Sequence, residues 1–154
     1  MFPNRAPLTG ENFLGYVDKR RCNEFHFYRV VNLKNQKNDK LKTKVIKRGL
    51  GFNRHLDKLP PIPHESYNIT NNRHLNGTIP MARNELGTAK SEIFICINDQ
   101  PNLNYNGKLY LDRQDFAAFI SVISGMHIIN FVHQLPSNNQ MLNYPIIIKS
   151  ANGM

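Results

Sequence analysis

The sequence predicts a mainly β fold, a barrel or sandwich capped by two short helices, on three observations. Its apolar residues fall mostly in short aromatic and β-branched runs. Prolines, glycines and asparagines separate those runs at turn-like intervals. Only two segments suggest helix, and both are short. At 154 residues, with 40% hydrophobic and 20% charged side chains, the chain has the length and composition of one globular domain spanning residues 1–154.

The elements follow in order. Thr9 is an expected N-cap for a helix over residues 11–18, with Phe13, Leu14 and Val17 as its apolar stripe. Lys19-Arg20-Arg21 closes it, complementing the negative end of the helix dipole. Residues 24–31 (EFHFYRVV) read as a strand with Phe25, Phe27, Arg29 and Val31 on one face and His26, Tyr28 and Val30 on the other. A polar loop over 32–40 leads to a strand at 42–48, closed by Gly49-Leu50-Gly51. Residues 52–75 are expected to be irregular, because Pro60, Pro61 and Pro63 interrupt any ladder. Asn76-Gly77 is a turn into a strand at 78–82, and residues 93–97 (IFICI) form another. A loop over 99–114, a strand at 116–123, a helix over 127–135 and a strand at 145–149 complete the chain.

Several function classes are disfavoured. The net charge of +9 suits anionic partners, yet Lys and Arg are scattered over the first ninety positions without a nucleic-acid-binding signature. No specific nucleic acid is therefore expected. The six histidines lack metal-ligand spacing, so neither metal nor cofactor is expected. Two cysteines, Cys22 and Cys96, are no disulfide framework, and Cys96 inside an apolar run reads as a buried thiol. Residues 116–132 approach membrane-spanning length, but Ser124-Gly125 splits them into strand, turn and helix. No signal peptide is visible, which points to a cytoplasmic protein that does not use a membrane. Nucleophile elbows, P-loops and dinucleotide fingerprints are absent.

What remains is Arg29 among aromatic neighbours. Taken together, FYRVV at 27–31, IPMARNELGTAKSEIFICINDQPNL at 79–103 and FAAFISVISGMHII at 116–129 resemble the cyclophilin family of peptidyl-prolyl isomerases. The family versions run F-H-R-V, G-T-I-S-M-A-R-N, G-T-A-T-S-x-F-F-I-x-x-x-D-Q-P-x-L and F-A-x-F-G-x-V-x-x-G-M-x-V-V, in the same order. Residues 6–18 are similar to the family's first helix, residues 59–65 to a loop of its bacterial branch, and residues 141–148 to its last strand. The resemblance implies a closed antiparallel β-barrel with two helical caps, and two further strands ahead of Ala6 that this sequence lacks. It implies a catalytic role for Arg29. Phe94 and Leu103 become proline-pocket residues and Phe116 a pocket wall. Ala82, Arg83 and Asn84 line the groove, while Val45 and Lys47 lie on the strand that carries an apolar pocket residue and a glutamine. Partners would be proline-containing peptides and folding proteins, bound by a monomer.

Such chemistry needs no nucleophile. Rotating an X-Pro bond breaks no covalent bond but must cross a barrier of about 18–20 kcal/mol set by amide resonance. As the bond twists, the prolyl nitrogen regains a lone pair, and a fixed guanidinium that donates to it binds the transition state in preference to either ground state. The sequence departs from the family where I-Q-G-G becomes Ile46-Lys47-Arg48-Gly49 and where a groove glutamine becomes Glu92. Cations beside Arg29 predict reduced activity, or a preference for acidic residues next to the proline. With Arg29 disarmed, the same groove would serve as a non-catalytic proline-peptide binding module.

Overall fold

The computed structural model of the chain describes residues 6–37, 41–51, 58–66, 70–109 and 114–153. Helix α1 (Pro7–Asp18) precedes a single 3-10 turn and strands β1 (His26–Val31), β2 (Val45–Gly49), β3 (Thr78–Pro80) and β4 (Ile93–Cys96). A second 3-10 turn (Pro101–Leu103), β5 (Ala118–Ser121), α2 (Met126–His133), β6 (Ser137–Asn138) and β7 (Met141–Ile147) follow. Five strands pair in the order β4-β2-β1-β7-β6, and β3 pairs with β5. The bridge between Met81 and Ile93 and the bonds Gly77 N–H to Cys96 O and Ala82 N–H to Glu92 O join the two sets. The barrel wall therefore continues β6-β7-β1-β2-β4-β3-β5, antiparallel at each of these pairings.

Helix α1 covers one side of this wall. Phe13 meets Phe119 at 5.4 Å and Tyr16 meets Phe25 at 5.4 Å. Helix α2 covers another, where Val132 packs with Val30, Ile46, Ile95 and Leu142. Burial at these contacts is what makes short helices stable, since neither is long enough to persist alone.

The start of α1 differs from expectation. The helix begins at Pro7, whose fixed φ and missing N–H suit the first helical position. Thr9 is thus inside the helix, and no side chain of the helix itself caps it. The cap comes from far along the chain, where the Glu65 carboxylate accepts Leu8 N–H at 3.0 Å, Thr9 N–H at 2.7 Å and Thr9 Oγ1–H at 2.6 Å. A buried anion there satisfies orphan donors and sits at the positive end of the dipole.

Residues 116–132 resolve as expected into β5, a turn at Gly125 with φ 86° and α2. No helix among the described residues is long and apolar enough to cross a membrane. Sequence reading missed β6, and β7 starts ahead of the expected strand at 145–149. Ile128, Phe131, Tyr144 and Ile147 lie exposed on α2 and β7. Both cysteines are free and buried. Parts of the expected loops, namely residues 38–40, 52–57 (with His55), 67–69 and 110–113, lie outside the described residues, as do residues 1–5.

Candidate active site

Three strands place a row of side chains across one face of the wall. Arg29 of β1 is opposite Lys47 of β2, and Lys47 is opposite Phe94 of β4. Val45 lies two residues from Lys47 and so shares its face. Beside this row, Ala82 follows β3, Leu103 ends the second 3-10 turn, and Phe116 precedes β5. Every residue that the sequence nominated, Arg29, Val45, Lys47, Ala82, Arg83, Asn84, Phe94, Leu103 and Phe116, lines one cavity of about 270 Å³.

The floor is apolar and rigid. Ala82, Phe94, Cys96, Leu103 and Phe116 form a buried cluster. The rings of Phe94 and Phe116 stand at right angles, 5.0 Å apart, an edge-to-face contact that favours both orientations. Behind them, buried His74 stacks on Phe94 at 6.5 Å and bonds Asn104 Oδ1 through Nδ1 at 2.9 Å. Burial holds its pKa below the ordinary histidine value, so it backs the wall as a neutral ring.

Arg83 braces the wall. Its guanidinium lies over the Phe116 ring at 5.3 Å, and Nε and Nη2 each donate at 3.1 Å to the carbonyls of Asp115 and Gln114. Ala82 N–H is already used by Glu92 O, and Asn84 N–H by Thr88 Oγ1. Two of the three backbone N–H groups along this groove-lining stretch are thus engaged within the chain.

The two replacement cations behave differently from each other. Lys47 faces the cavity, and burial pushes its pKa down to about 8, with Glu92 opposing that shift and Arg29 and Lys58 adding to it. Arg48 points to the opposite face, as alternation along β2 requires, and does not join Arg29 in the cavity. It is buried, with its guanidinium over the Phe13 ring at 5.3 Å and the Phe25 ring at 5.2 Å. Glu92, also buried, accepts from Tyr28 Oη at 2.5 Å and Ser91 Oγ at 3.0 Å, and its field favours the charged forms of Lys47 and Arg48. Two of the departures from the family pattern, Lys47 and Arg48, thus lie in the field of the third, Glu92. Gly49 makes room for it: a Cβ there, at φ +153°, would meet the Glu92 carboxylate at 2.4 Å.

Sequence reasoning missed Gln140, Gln36 and Thr43, which also line the cavity. Gln36 ties its own loop, donating to Asn32 O at 2.6 Å and Thr43 O at 2.8 Å. Gln140 accepts from Arg29 Nε at 3.0 Å and Nη2 at 2.5 Å. Among the described residues, no group of three or more His, Cys, Asp or Glu is placed to hold a metal ion.

A strand row with the Arg29 guanidinium held by Gln140 above an apolar, aromatic-walled hollow describes a peptide groove rather than a hydrolytic centre. The model of the cyclophilin type peptidyl-prolyl cis-trans isomerase/CLD family matches residues 1–152, and the chain belongs to that family. It is 28% identical over 156 residues to peptidyl-prolyl cis-trans isomerase A of Dickeya dadantii, covering 96% of this chain and 73% of that one. To peptidyl-prolyl cis-trans isomerase B of Escherichia coli it is 29% identical over 133 residues, covering 84% and 73%. The crystal structure of a Cryptosporidium parvum cyclophilin type peptidyl-prolyl cis-trans isomerase shares the fold, with TM-score 0.71, 19% identity and coverage of 97% and 85%. The same protein in the presence of the dipeptide Ala-Pro gives TM-score 0.71, 20% identity and coverage of 97% and 86%.

Proposed function

We propose that the chain is a peptidyl-prolyl cis-trans isomerase in which Arg29 is the catalytic residue. The observation that carries this reading is one cavity in which an anchored arginine and the apolar trio Phe94, Leu103 and Phe116 meet. The proline ring sits on the apolar floor, whose burial and shape supply affinity and exclude water. Arg29 donates to the prolyl nitrogen as it becomes pyramidal, an interaction absent from the planar ground states, so it lowers the barrier instead of only tightening binding. Losing one such donor in a preorganised site costs about 10²–10³ in rate.

Isomerisation of a proline-containing tetrapeptide, followed by exchange NMR, tests the assignment. Arg29→Ala should lower turnover by about 10²–10³ while the circular dichroism spectrum is kept. Unchanged turnover in that variant would remove Arg29 from the mechanism. A wild-type chain that binds the peptide without turning it over would favour the binding-module reading, which the cation Lys47 beside Arg29 supports.

Specificity belongs to the same proposal. A second hollow of about 360 Å³ adjoins the first through Lys47, Ala82, Arg83 and Asn84, and adds Lys58 and Lys90. Its acid, Glu92, already accepts two internal hydroxyls. An excess of cations favours peptides with Asp or Glu near the proline, the preference expected from the cations at 47 and 48. The remaining parts of the reading are folding proteins as clients, a single 1–154 domain acting as a monomer, and a cytoplasmic setting.

A further inference from the structure

Gln140 occupies a backbone position that glutamine fits poorly. Between β6 and β7 the chain turns on Asn139 and Gln140, with φ of 47° and 73°. Two successive left-handed residues are what a two-residue type I′ hairpin requires, and Asn-Gly is the pair that meets it with least strain. Glutamine at the second position strains the backbone. Such strain persists where the side chain has a task.

The side chain here is fixed at both ends. Its Oε1 accepts both Nε and Nη2 of Arg29, at 3.0 and 2.5 Å, and its Nε2 donates to Asn35 O at 2.9 Å. The backbone is anchored as well, with Gln140 O accepting Val30 N–H at 2.8 Å. Because Nε2 is tied to the 32–37 loop, the amide cannot rotate its oxygen away from the guanidinium. The register of β1 shifts between Phe27 and Arg29 against both β2 and β7, at the point where Arg29 meets this turn. Across β2, the opposite position is Lys47, a donor with no acceptor to offer a guanidinium.

We propose that Gln140 is the positioning residue of this site: its amide oxygen fixes the plane of the Arg29 guanidinium, so that the Nη1 edge is presented to the prolyl nitrogen. The proposal rests on the isomerase reading and adds to it the group that supplies orientation from a different strand pair. Gln140 acts through Arg29 and forms no contact with the reacting bond.

The backbone geometry provides a clean test. Gln140→Gly relieves the left-handed strain while deleting the amide, so a purely structural role predicts equal or greater stability and unchanged catalysis. Positioning predicts that kcat falls about 10- to 100-fold while peptide affinity stays within about twofold. Gln140→Glu, whose carboxylate still accepts both N–H groups but cannot donate to Asn35 O, should recover part of that loss. Nitrogen-15 relaxation of the Arg29 Nε–H should show an ordered group in the wild type and Gln140→Glu, and a mobile one in Gln140→Gly. Equal order in Gln140→Gly and wild type overturns the proposal, as does a wild-type kcat in Gln140→Gly beside an Arg29→Ala variant that has lost turnover. A wild-type chain with no turnover overturns the isomerase reading instead, and the relaxation data then still decide whether Gln140 fixes Arg29.

Discussion

Replacing Lys47 with glutamine should stabilise the protein, and the gain should fade as pH rises. Lys47 is largely buried, and its pKa is pushed from 10.5 to about 8, first by burial, with Arg29 and Lys58 adding and Glu92 opposing. Between pH 8 and 10.5 the unfolded chain therefore binds a proton at this position that the folded chain has released. Stability must rise with pH across that window, and below pH 8 the folded state bears the full cost of the buried charge. At about 1.36 kcal/mol per pH unit the upper bound is about 3 kcal/mol. Because Lys47 is only partly shielded from solvent, about 1–2 kcal/mol is the better expectation. With a urea slope of roughly 1–3 kcal/mol per molar, the Lys47→Gln midpoint should rise by roughly 0.5–1 M at pH 7. By pH 10 most of that difference should be gone. Paired urea melts at pH 7, 8.5 and 10 measure it directly. A variant less stable than wild type at pH 7, or a difference independent of pH, would refute the burial argument. The same variant should lose preference for peptides with an acidic residue beside the proline.

Two further substitutions probe contacts that no local pattern encodes. Glu65→Ala strands the donors of Leu8 and Thr9 and should cost about 1–3 kcal/mol in a urea melt, with Glu65→Gln losing less because one acceptor remains. Gly49→Ala drives a Cβ into the Glu92 carboxylate and should destabilise by about 1–3 kcal/mol. Adding Glu92→Ala to Gly49→Ala should cost less than the two single losses combined, which a double-mutant cycle reads directly.

Much of the site was legible because its residues sit inside motifs whose order is itself a constraint. FYRVV, MARN and the IFICI to NDQPNL stretch each fix a short strand or turn. Antiparallel register then lines up Arg29, Lys47 and Phe94 without further information. The misses share a different cause. Gln140 holds Arg29 across 111 residues of sequence, and its turn uses Asn139 and Gln140 where a glycine would have signalled a hairpin. Glu65 caps α1 from 56 residues away, so the nearer Thr9 looked like the cap. Arg48 was expected to stand beside Arg29. Alternation instead carried it between two phenylalanine rings, beside Cys22 and within the field of Glu92, neighbours that periodicity does not reveal.

The close approach of Gly49 to Glu92 bears on how this lineage can change. A side chain at position 49 would meet the carboxylate at 92, at a φ of +153° that already disfavours every residue but glycine. Shortening Glu92 first leaves the Tyr28 hydroxyl without its acceptor and removes a negative field from Lys47 and Arg48. The residues at 28, 47, 48, 49 and 92 therefore constrain one another through the Glu92 carboxylate. Among descendants of this chain, glycine at 49 should be found wherever glutamate remains at 92.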